Sequence, residues 1–373
     1  MKAVFERQKF LHAFQAASSV VPSRSARPVL QCVKLGSAGE STVLIGTDLE
    51  VAVRVEVEGF QASGGESLVL PSDRFGAILR ESSDDQLELE SDGRRIVVRG
   101  KTSQFQLPSI DPDEYPDVMS FEMDSYHELP LTVFRELTRR TVFATDPEST
   151  RYALSGVLLE TLEDRLVAVA TDGRRLAKQE AAATRVGQQP MPSEPPVIPA
   201  RVMQLYERIL GEEEGVARVA ASENDILVRA GRRTIFTRLL EGRFPRWRDV
   251  LPRREGTTQI ELPVEPFHGA VRQAAIMTDK EHRGVEFRFG EGKVELAAHG
   301  GELGESRIEL PIGYDGPAKD VKLDPRYVID FLRVLPPEKT IVLHLSDPNV
   351  AVLFATDDDY AYVVMPLARD AAA

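Results

Sequence analysis

The chain has 373 residues, 42% of them apolar and 28% charged, with a formal net charge of −13 and one cysteine. No apolar run approaches the ~20 residues that span a bilayer, and a single cysteine excludes an internal disulfide and fits a reducing compartment. An acidic total taken alone argues against nucleic acid, although binding depends on where the charges sit rather than on their sum. The length suggests two or three domains. The opening stretch MKAVFERQKFLHAF mixes charges among its apolar residues, unlike a signal peptide. Cys32 lies in an apolar run and reads as a small buried side chain.

In chain order, the first predicted helix is ERQKFLHAFQAASSVV (6–21), with Phe10, Phe14 and Ala17 at i, i+4 and i+7. VLIGTDLEVAVRV (43–55) is strand-like on both sides of a break at Thr47-Asp48. VLPSDRFGAILR (69–80) is a strand end running into a helix, with Pro near the first turn, where its missing N–H costs nothing. QLELESDGRRIVVRG (86–100) is a hairpin turning at Ser91-Asp92-Gly93. After the turn-rich DSYHELP (124–130) the series starts again. PLTVFRELTRRTVFAT carries Phe134, Thr138 and Thr141, and its helix is predicted over 131–144. VAVATDGRRLAKQEAA (167–182) breaks at Asp172-Gly173. VIPARVMQLYERIL (197–210) is the second strand-to-helix element, and VARVAASENDILVRAG (216–231) turns at Ser222 to Asp225. A third series follows PRREGTTQIELP (252–263). It comprises PVEPFHGAVRQAAIMT with Phe267, Val271 and Ala274, then KLDPRYVIDFLRVL (322–335), then a hairpin turning at Ser346 to Asn349.

The spacing is regular. Phe134 lies 124 positions after Phe10, Phe267 lies 133 after Phe134, and Asp172 lies 124 after Asp48. Self-similarity at a fixed period signals repeated structural units. The chain therefore reads as three α+β domains, 1–123, 128–253 and 258–373, each with helices on one side and antiparallel sheet on the other. Helix–strand alternation also recurs inside each copy, which suggests six half-units.

Every predicted helix carries a cation: Lys9, Arg74, Arg80, Arg201, Arg208, Arg272, Arg326 and Arg333. On 131–144 a helical wheel puts Phe134, Leu137, Thr138 and Thr141 on one side and Arg135, Arg139 and Arg140 on the other. Acids concentrate elsewhere, in ESSDDQLELESD (81–92), GEEEG (211–215) and DDD (357–359). Either the helices of three aligned domains share one positive surface, or each merely has the solvated polar face of an amphipathic helix.

No catalytic pattern emerges. The six histidines (12, 127, 268, 282, 299 and 344) show no HxH or HxxxH spacing, and HExxH, CxxC, GxSxG and GxxxxGK[ST] are all missing. FGEGKVEL (289–296) is a two-glycine turn rather than a phosphate-binding loop. Asp48 and Asp172 hold the same place in different repeats and so should lie a domain apart. Hydrolytic carboxylate pairs need ~5–9.5 Å. The sequence supports no enzyme, and no metal or cofactor is expected.

The segments GTDLE (46–50), RYALSG (151–156), ATDGRRLA (170–177), EGRFPRWRDVLP (241–252), RGVEF (283–287) and YVVMPL (362–367), in this order, resemble the bacterial replicative sliding clamp family, the β subunit of DNA polymerase III. The resemblance covers the chain except ARDAAA at its end. It implies three DNA-clamp domains per chain and a head-to-tail homodimer. Such a dimer is a ring with helices lining the hole and sheet outside, holding duplex DNA without reading its sequence. Implied partners are the DNA polymerase III α subunit, other polymerases and the clamp loader complex, in a bacterial cytoplasm and with no membrane. The peptide pocket carries over as Leu154, Thr171, Gly173, Arg174, Arg175, Leu176, Pro245, Val250, Tyr327, Val363, Val364, Met365, Pro366 and Leu367. Core packing is the alternative role for each, most of all for Leu176 and Val364. The DNA-facing positions carry over as Arg24, Arg74, Arg80, Tyr152 and Arg201, to which the helical wheel adds Arg135 and Arg139. The dimer seam carries over as Phe105 and Leu107 against Ile276 and Met277. Two residues depart from the family pattern: Asp249, where a basic residue often precedes the Val, and Arg174, where His is frequent.

Overall fold

The computed structural model describes residues 1–38, 41–63, 67–149, 152–188, 192–211, 214–301, 304–347 and 349–368. These fall into two compact units. The first holds Met1–Thr132, Ala183–Pro196 and Leu205–Leu239, and the second holds Val133–Ala182, Val197–Gln204 and Leu240–Ala373. The middle repeat is thus shared between the units.

Six α-helices occur among the described residues: α1 (Arg7–Ser18), α2 (Ser72–Glu81), α3 (Leu131–Val142), α4 (Ala200–Ile209), α5 (Val264–Ala274) and α6 (Pro325–Arg333). Two fall in each predicted repeat. Helix α3 stops two residues short of its predicted end. There the amides of Ala144 and Thr145 turn to the carbonyls of Thr141 and Val142, at 3.0 and 3.3 Å, and this i→i+3 tightening closes the helix.

In the first unit, Lys2–Glu6 lies inside a five-stranded sheet whose outermost strands are Gln61–Ser63 and Gln104–Pro108. The second sheet has nine strands, from Thr184–Val186 at one edge to Leu68–Pro71 at the other. All pairings are antiparallel, and Arg233–Arg238 of the middle repeat pairs with Val51–Val57 of the first. The apolar stripe of α1 lands as its period requires. Phe10 and Phe14 meet Phe5 and Phe75 with ring centroids 4.5 to 5.9 Å apart, and burying each such ring contributes about 1.5–3 kcal/mol. Helix α1 rests on Gly46, where a Cβ would come within 1.9 Å of the Ala17 carbonyl oxygen. Only glycine allows that approach.

The second unit repeats the scheme. An eight-stranded sheet runs from Val197–Pro199 to Thr258–Pro263, and a four-stranded sheet has Glu305–Pro311 and Lys319–Leu323 at its edges. Here Ala361–Val364 of the third repeat pairs with Arg175–Ala182 of the second. Arg140 departs from the helical wheel. It is buried, 1% exposed, with Nη2 2.5 Å from Glu136 Oε1 and Nη1 3.0 Å from Asp358 Oδ2. Nη1 also donates to Gln179 Oε1 at 2.8 Å, and the guanidinium lies 5.1 Å from the Tyr360 ring centre. A buried charge is tolerated only with such partners. They come from chain segments that a wheel drawn for one helix does not contain.

Candidate functional site

The site is built around the turn after strand Arg165–Thr171. Asp172 Oδ1 accepts the amides of Arg174 and Arg175 at 2.8 and 3.0 Å, and Thr171 Oγ1 donates to the Arg175 carbonyl at 2.6 Å. Gly173 sits at φ +85°, with open space where a Cβ would point. The equivalent turn of the first repeat uses the same bonds, from Glu50 and Val51 to Asp48 Oδ1 at 2.9 and 2.7 Å. It holds Leu49 at φ +80°, in a region that costs a side-chain-bearing residue about 1–2 kcal/mol.

Arg175 does not reach outward. Its Nε donates to Asp172 Oδ2 at 3.0 Å, Nη1 to Asp330 Oδ2 at 2.7 Å and Nη2 to the Phe143 carbonyl at 2.7 Å. Its guanidinium lies 5.4 Å from the Phe143 ring centre and 4.7 Å from that of Tyr327. Burial disfavours the charge, but Tyr362, Asp330 and Asp172 more than offset it and raise the pKa above the ordinary arginine value. Tyr362 in turn donates to the Tyr327 carbonyl at 3.0 Å.

Leu176 and Val363 are cross-strand partners, as are Arg175 and Val364. Leu154, Thr171, Leu176, Val363 and Val364 are all buried. All five side chains lie inside the fold, beneath the accessible groups of the site. The accessible groups are Gly173, Arg174, Pro245, Val250 and Met365, with Tyr327, Pro366 and Leu367 half-buried. Two backbone bonds hold the last segment in place: Met365 N–H donates to the Arg174 carbonyl and Leu367 N–H to that of Lys322, both at 2.8 Å.

The opposite rim is the segment around Trp247. Phe244 and Leu251 pack on the buried cluster that holds Leu176, Val363 and Trp247. Trp247 Nε1 donates to Glu160 Oε1 at 2.9 Å, and Arg248 grips both Glu160 oxygens at 2.8 and 2.6 Å. Such a bidentate pair fixes direction as well as distance. It leaves Pro245 and Val250 facing outward. The result is a buried apolar cluster bordered by the accessible Gly173, Arg174, Pro245, Val250 and Met365.

Arg24, Arg74 and Arg80 are exposed in the first unit, Arg74 with Asp73 3.6 Å away. Arg139 and Arg201 are exposed in the second, on α3 and α4. Arg135 is half-buried, and its Nε is shielded without a hydrogen-bond partner among the described residues. The Tyr152 side chain lies outside the described residues, as does the segment after Ala368. Of the seam residues, Ile276 is 70% exposed and Phe105 37%, while Leu107 is turned into its own core at 8%. Phe105 and Leu107 share a sheet face, as i and i+2 must; the covering elements reach Leu107 and stop short of Phe105. Met277 is half-buried. Phe105 lies on an outermost strand, and Ile276 precedes a sheet that also ends in an open edge strand, Glu305–Pro311. Among the described residues no group of three or more His, Cys, Asp or Glu could hold a metal ion, and no helix is long and apolar enough to cross a membrane.

The repeated fold of helices on antiparallel sheet defines a DNA-clamp protein. Family models for the DNA polymerase III beta subunit match in order: the N-terminal domain at 1–119, the central domain at 128–246 and the C-terminal domain at 248–368. The beta sliding clamps of Pseudomonas putida and Escherichia coli K12 are each 29% identical to the chain, over 98% of it and 100% of their own length. The crystal structure of a DnaN sliding clamp from Pseudomonas aeruginosa superposes with a TM-score of 0.91 at 28% identity, covering 99% of this chain and all of that one. The chain belongs to the DNA polymerase III beta subunit family, the sliding clamps.

Sequence reasoning missed Glu160, Phe143 and Asp330. The first left a signal, as a carboxylate ending the apolar run GVLLE that needed a partner. The only tryptophan of the chain, beside Arg248, was the natural one.

Proposed function

We propose that the chain is a processivity clamp. Two copies close head to tail around duplex DNA, with helices inward and sheet outward, and the ring tethers a replicative polymerase to its template. The observation that carries this reading is the unbroken series of three clamp domains along one chain. We assign the domains to 1–123, 128–253 and 258–373. Closure joins the open edge at Gln104–Pro108 of one copy to that at Glu305–Pro311 of the other. Phe105 and Ile276 meet at the seam, with Leu107 and Met277 behind them. An open edge strand is a template for pairing, and a ring removes both.

Arg24, Arg74, Arg80, Tyr152, Arg201, Arg135 and Arg139 face the phosphates, which position a protein without specifying bases. The cleft around Gly173, Pro245, Val250, Tyr327 and Met365 takes peptide segments of the DNA polymerase III α subunit, other polymerases and the clamp loader. No catalytic group is required, because the chain acts by topology in the bacterial cytoplasm. Direct affinity is weak, since each neutralised phosphate contributes a slope of only about −0.9 in log K against log salt and the chain carries −13. The test is loading by the clamp loader onto nicked circular DNA, then gel filtration in moderate salt. The protein stays on circles and leaves once the DNA is linearised. Equal retention on both would replace the ring with ordinary adhesive binding.

A further inference from the structure

A groove of about 830 Å³ lies in the first unit, lined by α1, strand Val51–Val57 and the tip of the hairpin 225–238. That is the size of a small-molecule site, ~300–1,000 Å³. Its basic side chains come from two directions. Lys9 and His12 stand exposed on α1, and Arg229, Arg232 and Arg233 belong to the hairpin. Ala230 pairs with Arg233, so only Gly231, at φ +53°, and Arg232 form the turn. Leu131, Leu210 and Val216 are the apolar part of the lining. Leu131 N–H donates to the Gly215 carbonyl at 2.8 Å, and Val216 is 43% exposed. Most of the local carboxylates are taken: Glu56 lies 3.0 Å from Arg229, Glu58 pairs with Arg232, and Glu6 lies 3.1 Å from Lys9. Arg233 donates to the Ile209 carbonyl, and neither it nor His12 meets a carboxylate among the described residues. Glu214 is the remaining acid of the lining.

The corresponding place in the second unit is filled. Glu136, 124 positions after His12, pairs with Arg140, and Arg140 reaches Asp358 at 3.0 Å. The Lys339 carbonyl accepts the Val264 amide as that of Gly215 accepts the Leu131 amide, and the Lys339 ammonium reaches Asp357 at 2.7 Å. Asp357 and Asp358 lie between strands Val352–Ala355 and Ala361–Val364. The second of these strands pairs with Arg175–Ala182 as Arg233–Arg238 pairs with Val51–Val57. Acids of a helix and a hairpin thus enclose a guanidinium there. In the first unit the helix and the hairpin carry bases, and Ala16 stands at the position of Arg140. A central group of the opposite sign, an anion, satisfies that arrangement.

We propose that the groove binds a small polyphosphate of the nucleoside triphosphate class. The phosphates lie between Arg232, Arg233 and His12, and the base lies against Leu131 and Val216. Forked guanidinium donors match phosphate oxygens. The exposed Arg232–Glu58 pair opens readily to admit them, since such a pair contributes little in water.

The test titrates the full chain with adenosine triphosphate and, separately, with tripolyphosphate, by calorimetry at low salt. Both bind at one site per chain, the nucleotide more tightly because its base adds apolar contact, and both weaken as salt screens the charges. The double variant His12→Ser with Arg232→Ser weakens both about tenfold, the loss of one charge-assisted hydrogen bond. The single variant His12→Glu, at an exposed helix position, gives a similar loss without touching the hairpin. Arg94→Ser removes the same formal charge from an exposed site elsewhere in the first unit and leaves the affinity unchanged. Absence of binding by either probe would overturn the proposal. Equal losses in the Arg94 and groove variants would overturn it too, by showing diffuse attraction rather than a site. Binding of a ten-residue single-stranded DNA that the groove variants lose, with no binding of the nucleotide, would replace the small ligand with a nucleic-acid strand.

Discussion

The guanidinium of Arg175 lies over the ring of Tyr327, 4.7 Å from its centre, and so ties the turn of the middle repeat to α6 of the third. Tyr327 is held from behind as well, through its carbonyl and Tyr362. Arg175 is thus a positioning residue, although it stands among those expected to touch a peptide. Removing one partner of a buried ion pair costs about 3–5 kcal/mol, so Arg175→Ala lowers stability by that order and weakens peptide binding. Arg175→Lys keeps the charge but loses the fork and the stacking, and falls between. Urea unfolding and peptide anisotropy measure the two effects. An alanine variant with native stability would remove the pin.

Trp247 is the only tryptophan in the chain, which makes the rim spectroscopically visible. Glu160→Ala strips its indole N–H and Arg248 of their shared acceptor. Hydrogen bonds to charged groups contribute about 1.5–3 kcal/mol. The expected outcome is a red-shifted Trp247 emission and reduced peptide affinity. An unshifted spectrum would show that the rim holds without this carboxylate.

Ile276→Ala with Met277→Ala is expected to give folded monomers. Ile276 is 70% exposed in the single chain, so its truncation spares the fold. Burying such a side chain on association contributes about 1.5–3 kcal/mol, and each ring contains the seam twice. Light scattering at micromolar concentration decides it, and a dimer of unchanged mass would place the seam elsewhere.

Burial, with a smaller contribution from Asp73, pushes the Cys32 thiol from 9.0 up to about 11. The folded state therefore disfavours the thiolate, while the unfolded state loses its proton first. Stability from this group is complete below pH 9 and declines as pH rises toward 11. Cys32→Ala removes that part of the decline, which thermal unfolding at pH 8, 9.5 and 10.5 detects. The native thiol should also resist a thiol reagent at pH 8 until denaturant opens the first unit. Rapid labelling of the native protein would contradict its burial.

The repeat and its six helices were legible in the sequence because periodicity survives any packing. The turns at Asp48 and Asp172 were legible for a similar reason: their hydrogen bonds close within three residues. The identities of the site residues came from resemblance, but their burial did not. The burial of Leu176 depends on a partner strand, Ala361–Val364, that comes from the far end of the chain. Arg140 shows the limit most clearly. Its helical face is polar in the sequence and buried in the fold, since Asp358 and Tyr360 approach it from another repeat.

The pairing of Arg175 with Val364 has a consequence for biosynthesis. The two residues are 189 positions apart in the numbering. A ribosome adding about 5–20 residues per second takes roughly 10–40 s to pass from one to the other. Throughout that interval the turn at Gly173 has emerged while the strand that completes the cleft has not. In a nascent chain this sheet is therefore incomplete, and a product truncated before Ala361 lacks the strand that pairs with Arg175–Lys178. The order of translation makes this part of the sheet one of the last to close.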